Sequence, residues 1–425
     1  MRVLVVSANR EVMPQAVVPL GAISVAAAVR DAHDVDVLDL CFEQDPLGAV
    51  RRAIADAQPD LVGVGLRNLR LGTYAESDDL MTYYRGVVRA VREATRAPVV
   101  LGGAGFSLRP QTLLEDLGAD YGVVGEGERA FRGLCDDLAA GRRPPRLVSA
   151  ATYGGGDTLD DLPRPARDLV DPRYYDRDGT DNVQTKRGCC FDCAYCDYPD
   201  IEGRRFRLRE PARVAAEAAD RARAPGVSHL FFVDSVFNVP HAHALAVCRE
   251  LVATGVPMKW VAYVSPVGFD DALARAMAEA GCVGVEIGAD SGDDEGLARL
   301  RKPFTVADIR RAHALCAAHG IRDCHTFVLG VGDEAEADVR RTLAFVDDLD
   351  PDVAVFVVFV EDREDRAIER ARHRDAILRL LADEAPKRAG WVVPELSIRF
   401  GEKVARLAAR RRFRGPAWLA LADRP

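Results

Sequence analysis

The sequence predicts an α/β protein: a doubly wound parallel sheet, then a partial barrel of six parallel strands, then a short helical tail. Three observations predict it. Strand-like and helix-like runs alternate strictly, in two separate series. A Gly/Pro/Asp-rich stretch from about Gly141 to Thr180 divides the series and reads as a linker. The 425 residues also suit two or three domains at roughly 150 residues each. The expected units are 1–145, a linker over 146–180, 181–360 and a tail over 361–425.

In the first series, apolar β-rich runs fall at Arg2–Val6, Val35–Leu40, Leu61–Gly65, Pro98–Leu101 and Tyr121–Val124. Helical patterns lie between them, as at Leu20–Arg30, Leu47–Ala57 and Tyr83–Thr95. Such sheets take ligands at the carboxyl ends of their strands, and glycine turns fall there at Gly102-Gly103 and Gly125-Glu126-Gly127. No GxGxxG follows the first strand, which argues against a dinucleotide site. In the second series the strand candidates are Asn182–Thr185, His229–Val233, Trp260–Val264, Val283–Ile287, His325–Leu329 and Val353–Val360. Helices are expected at Pro211–Arg223, Ala242–Ala253, Asp270–Ala280, Val306–Ala318 and Glu334–Asp348. Barrel active sites lie at the C-terminal strand ends. The tail reads as helical and charged, with its arginine cluster at 410–414 on a solvated face.

Composition sets bounds on function. Hydrophobic residues make up 48% and charged residues 29%, ordinary for a globular chain. The net charge of −9 gives no broad footprint for nucleic acid. No apolar run approaches the ~20 residues of a membrane helix, and the N-terminus does not read as a signal peptide. The cytosol, where thiols stay reduced, is the expected compartment. Nearly every cation is Arg, which reads as genome bias rather than phosphate binding.

Ten cysteines are present. Six are scattered and read as small buried hydrophobes. The other four crowd into Cys189-Cys190-Phe191-Asp192-Cys193-Ala194-Tyr195-Cys196, on the loop after the first strand of the second series. Cys189, Cys193 and Cys196 are spaced C-x3-C-x2-C, and Cys190 is expected to point away. Structural zinc wants four ligands, usually as two knuckles, and no second knuckle exists. Three cysteines on one loop suit a four-iron cluster with one iron left open for a substrate. A zinc site completed by a histidine is the alternative.

With Tyr195 as the aromatic of C-x3-C-x-aromatic-C, the segment resembles the signature of radical S-adenosylmethionine (SAM) enzymes, whose fold is a partial (β/α)6 barrel. The resemblance implies a [4Fe-4S] cluster whose open iron binds SAM, and a 5′-deoxyadenosyl radical. It also implies SAM contacts at Tyr195, at Asp234 for the amino group, and at Glu286, Asp290, Ser291, Lys302 and Gly330. Asp234 and Asp290 could instead cap helices. No catalytic side chain is assigned.

The first series resembles the Rossmann-like cobalamin-binding domain fused to one branch of that family. The matching pieces imply cobalamin contacts at Pro19, Leu20, Gly21, Arg67, Asn68, Gly102, Gly103, Gly125, Glu126 and Gly127. His33 begins a segment like a cobalt-ligating box, but the glycine is missing and the position is wrong, so a turn residue is expected. Arg67 either faces the cobalt or pairs with an acid. His241 and His243 diverge on a helix and are not expected to share a metal. His325 points either into the barrel or into the helix layer.

The resemblance implies a cobalamin-dependent C-methyltransferase acting on an unactivated carbon of a small natural-product intermediate. A flavodoxin- or ferredoxin-type electron donor is implied, with no nucleic acid or membrane partner. The rival reading is the same architecture catalysing a rearrangement, cyclisation, ring contraction or dehydrogenation. A methylthiotransferase would need three more cluster cysteines in the first domain, where only Cys41 and Cys135 occur. A non-enzymatic sensor would never cleave SAM. The last strand departs from the branch's usual pattern at 355–364, so it leaves the substrate end undefined.

Overall fold

A computed structural model describes residues 1–12, 15–69, 80–156, 158–359, 367–398 and 413–422, with the side chains of 367–372 left out. The first sheet has six parallel strands: β1 (Arg2–Ser7), β2 (Asp34–Asp39), β3 (Leu61–Gly65), β4 (Val99–Gly102), β5 (Tyr121–Val124) and β6 (Leu147–Ser149). Their order is β2-β1-β3-β4-β5-β6. The order reverses between β1 and β3, so a ligand crevice opens where those strands end. Residues Val3 to Ser7 are all buried, because helices cover both faces of the sheet. Leu4, Val6 and Val64 pack against the helix Leu80–Ala94, while Val3, Val5 and Leu61 pack against the helix Gly127–Ala139.

The five expected strands are in place. The sixth, β6, falls in the stretch read as linker and pairs with β5 from Gly122↔Leu147. Three residues are too few to show a periodicity, so sequence pattern could not reveal it.

Next comes β7 (Thr180–Val183), followed by a small antiparallel ladder of β8 (Lys186–Arg187) with β9 (Arg207–Leu208). β7 then joins β10 (His229–Phe232), β11 (Trp260–Val264), β12 (Cys282–Asp290), β13 (Arg322–Leu329), β14 (Val353–Val358) and β15 (Trp391–Val392) in one parallel sheet. Here the strands are added in sequential order. Right-handed crossovers then put every helix on one face, and the sheet curls around its other face as an open barrel. Phe232, Ala262, Val264, Val285 and Ile287 belong to the apolar cluster under the helices. The alternate residues Phe231, Tyr263 and Glu286 therefore face the lumen.

The helices begin where the side chains dictate. Asp270 and Asp293 accept the N–H groups of Leu273 and Gly296, each at 2.9 Å, and Thr305 with Asp308 forms a capping box. The tail is helical at Ala367–Glu384 as expected, but it also supplies β15, paired to β14 through Ala354↔Trp391. Its last described residues turn under the barrel, where Trp418, Leu421 and Ala422 pack with Cys324, Val353 and Val392. Arg410–Arg412 lie outside the described residues. Arg414 is not solvated at large: it donates to the carbonyls of Tyr175 and Gly226. Among the described residues no helix is long and apolar enough to cross a membrane.

Candidate functional site

The cysteine loop leaves β8 through Gly188, whose φ of +90° and approach to the Arg205 carbonyl leave no room for a Cβ. The loop is pinned by Cys189 N–H to Gly203 O (3.0 Å), Ala194 N–H to Leu300 O (3.0 Å) and Ser235 Oγ to Gly188 O (2.8 Å). Cys189 is buried, Cys193 and Cys196 are half-buried, and Cys190 is exposed, as expected for the odd member. Burial pushes the three inner thiols up, and the nearby Lys302 charge pulls each back down. Tetrahedral zinc with bonds of ~2.3 Å needs its sulfurs within about 3.8 Å of one another. Among the described residues, only His313, Asp323 and His325 gather three ligand atoms within 4.8 Å. The three thiols are spread wider than a single ion requires, and they fit an iron–sulfur cluster.

Beside Cys193 stands a second group. β12 breaks register between Gly288 and Asp290, and Asp290 takes a φ of +62°. That conformation costs about 1–2 kcal/mol in a residue with a Cβ. The carboxylate so aimed accepts the Tyr195 hydroxyl at 2.7 Å and pairs with Lys302. Lys302 also donates to the Tyr195 oxygen at 3.1 Å. Burial works against the Lys302 charge, but Asp290 and Cys193 outweigh it and hold the ammonium above its usual range. Gly288, on the lumen side, has open space where a Cβ would stand. The structure thus brings Tyr195, Asp290 and Lys302 together at the cluster loop. Ser291 is buried alongside and receives the Asp293 N–H, while the Gly330 N–H (φ +82°) is held by Glu334.

Asp234, expected at the SAM amino group, is engaged by the protein itself. It is fully buried, and its oxygens accept Thr185 N–H (2.7 Å), Thr185 Oγ1 (2.5 Å) and Lys186 Nζ (3.0 Å). Lys186 spends a further proton on the Phe237 carbonyl at 2.9 Å. This dry pair ties the end of β10 to the start of the cysteine loop. Glu286 stands apart from the group at the cysteine loop. It lies four residues before Asp290 along β12, roughly 13 Å lower in the lumen. Its Oε1 accepts the indole N–H of Trp418 at 2.9 Å, and burial pushes it up to about 7. His325 points into the helix layer, where it bonds Asp323 at 2.8 Å.

In the first domain, Pro19 precedes the helix that starts at Leu20, and Gly21 has open space beside it. Gly103 (φ +95°) lies so close to the Leu66 carbonyl that a Cβ would stand 2.5 Å from it. The loops after β3 and β4 therefore meet backbone to backbone and place Arg67, Asn68 and Gly102 on one rim. Asn68 holds Glu11 at 2.8 Å, and Arg67 stands 3.9 Å from the same carboxylate. The Arg67 charge also reaches Tyr198 and Tyr263 across the barrel mouth. Those tyrosines are 43% and 42% exposed, although Tyr263 sits on a central strand. Their exposed rings lie on the side of the barrel that the Arg67 charge reaches.

Glu126, expected at cobalamin, is instead ion-paired to Arg207 and, at 3.2 Å, to Arg187, while Glu128 also pairs with Arg187. The turn Gly125-Glu126-Gly127 is thus a lock between domains, and a Cβ at Gly125 (φ +74°) would stand 3.6 Å from the Ile201 carbonyl. His33 bonds Asp136 of the helix Gly127–Ala139 at 2.9 Å. His241 and His243 diverge, to Asp270 and to the Arg209 carbonyl. Sequence reasoning missed Tyr263, Arg187, Arg207 and Trp418. The polar-tipped Tyr263 between Ala262 and Val264 was a usable signal; Trp418 had none.

Known proteins share both domains. The B12 binding domain family matches residues 6–135 and the radical SAM superfamily matches residues 183–346. The structure of the radical S-adenosylmethionine methyltransferase TsrM from Kitasatospora setae, bound to tryptophan substrate and a SAM analogue, is 30% identical. It aligns with a TM-score of 0.74 over 84% of this chain and 72% of that one. TsrM has also been solved with cobalamin and a [4Fe-4S] cluster bound, at 29% identity. The tryptophan 2-C-methyltransferase of Streptomyces laurentii is 29% identical, over 78% of this chain and 67% of its own length. An uncharacterized methyltransferase of Pyrococcus horikoshii is 27% identical over 80% of this chain and 75% of its own. The chain therefore belongs to the cobalamin-dependent radical SAM enzymes of the methyltransferase type, with a [4Fe-4S] cluster, SAM and cobalamin as its cofactors.

Proposed function

We propose that this enzyme methylates a carbon of a flat aromatic small molecule that carries an N–H group, with tryptophan as the first compound to test. One observation carries the reading: the middle layer of the lumen. Phe231 and Tyr263 pack side by side, with ring centroids 4.9 Å apart and planes tilted by 44°, and Glu286 stands in register beside Tyr263. Two π surfaces with one acceptor are what an indole-like ring needs for binding and orientation. The relative that methylates tryptophan at C2 and the structure holding tryptophan support the same class. The reading narrows the sequence expectation from any unactivated carbon to an aromatic one.

In this reading Cys189, Cys193 and Cys196 hold the cluster. Tyr195, Asp290 and Lys302 lie where the polar end of SAM must be held, and Gly288 leaves room for it. Arg67, Asn68, Gly102 and Gly103 form the rim that faces cobalamin. Bound there, cobalamin supplies a methyl carrier between SAM and substrate. The chain's own part is to orient the aromatic ring against Phe231 and Tyr263, to receive its N–H on Glu286, and to keep water out. A flavodoxin- or ferredoxin-type protein supplies the reducing electrons.

The test is anaerobic incubation of the holoenzyme with methyl-labelled SAM and tryptophan, followed by mass spectrometry. Labelled methyltryptophan is the expected product. Altered tryptophan without label would establish the rival, non-methylating reading. Unchanged tryptophan, with the cobalamin demonstrably methylated, would overturn the proposed substrate.

A further inference from the structure

The C-terminal segment closes the barrel from below. Gly415 donates to the Asp178 carbonyl at 2.8 Å, and Ala417 N–H reaches Gln15 Oε1 at 3.2 Å. Between these anchors and the turn Leu419–Ala422, Trp418 rises into the lumen. Its ring occupies the space over Gly284, where a Cβ would stand 2.6 Å from Trp418 Cη2. Gly284 is the lumen-facing residue just below Glu286 on β12, so the strand is pared back to admit the indole. From there the indole N–H meets Glu286 Oε1 at 2.9 Å. The other oxygen makes no hydrogen bond among the described residues, and Glu286 remains half-buried toward the open lumen.

We propose that Trp418 is the positioning residue of the substrate site: its N–H holds one oxygen of Glu286 so that the other faces up to receive the N–H of the substrate. A tryptophan from the tail thus forms the floor on which an aromatic substrate stands. Its depth decides how far the ring descends, and so which carbon is presented to the corrin side. The groups facing Glu286 are Tyr263 from β11, Cys324 from β13 and Trp418 from the tail, with Arg67 acting on Tyr263 from across the barrel mouth. Tyr263 and Cys324 are neutral near pH 7, both being pushed up, and neither offsets the burial of Glu286. The Trp418 donor is the group that does, by favouring the carboxylate.

Trp418→Phe keeps the ring and removes the N–H. The inference rests on the aromatic-substrate reading for its kinetic arm only, so the first measurement needs no substrate. Infrared difference spectra of the holoenzyme against pH should show a carboxyl band titrating near pH 7 that disappears in Glu286→Gln. In Trp418→Phe the midpoint of that band should move to higher pH. With tryptophan as the probe, the acid limb of the methylation profile should move the same way. KM near pH 7 should rise about tenfold, with SAM-dependent methylation of cobalamin unchanged. An unmoved band in Trp418→Phe would overturn the inference. So would an equal fall in cobalamin methylation, which would mark a general structural role. A shifted band without methylated tryptophan would overturn the substrate reading and leave the Trp418–Glu286 coupling standing.

Discussion

The two ends of the barrel lumen are built in different ways. At the mouth, the cysteines and Tyr195 come from the loop that follows β8, Asp290 from the end of β12, and Lys302 from the turn after the short helix Asp294–Arg299. Each lies in a short motif, and each motif sits at or beyond a strand's carboxyl end. At the floor, Glu286 and Trp418 meet across 132 positions of sequence, and nothing near Trp418 marks it. Chemistry at the mouth depends on a loop's local geometry. Chemistry at the floor depends on where a tail docks. The same contrast divides the carboxylates of the mouth itself: Asp290 stands beside the cysteine loop in a strained conformation, while Asp234 is sealed among Thr185 and Lys186.

The largest expected effect breaks the mouth outright. Cys193→Ala should abolish the visible absorbance of the reconstituted cluster and all methyl transfer, whereas Cys190→Ser, on the exposed side of the loop, should leave both intact. A next, smaller effect tests whether Asp234 is structural. Asp234→Ala leaves Lys186 buried without its counter-charge and should cost about 3–5 kcal/mol, read as a lowered midpoint in denaturant. A stable variant with selectively weakened SAM binding would restore Asp234 to the cofactor site. The mildest substitution is Asp290→Asn, which tolerates the same backbone and keeps the shape but drops the charge. It should weaken SAM binding roughly ten- to a hundredfold by losing a charge-assisted contact, with cluster content and cobalamin uptake unchanged by absorbance. Undiminished SAM affinity would move the binding function away from Asp290.

Much of this was legible beforehand. The alternation of apolar runs located the eleven expected strands to within a few residues, because a strand buried by helices must be apolar along most of its length. The four strands it missed, β6, β8, β9 and β15, are three residues long or shorter and carry no period. The site was legible where residues act through one loop. It was less legible where a carboxylate's role depends on its partner: Glu126 reads as part of a cofactor turn, and Arg207, 81 positions away, pairs with it.

By itself the sequence determined the two-domain α/β plan and the loop that gathers Cys189, Cys193 and Cys196. Both are local properties, since periodicity belongs to a strand and thiol spacing to a loop. Only the tertiary structure decided which acids are free to meet a ligand. A buried carboxylate takes its charge state and its open lone pairs from whatever cation or donor packs against it. Here those groups arrive from distant segments: Lys186 at Asp234, Arg187 and Arg207 at Glu126, Lys302 at Asp290 and Trp418 at Glu286.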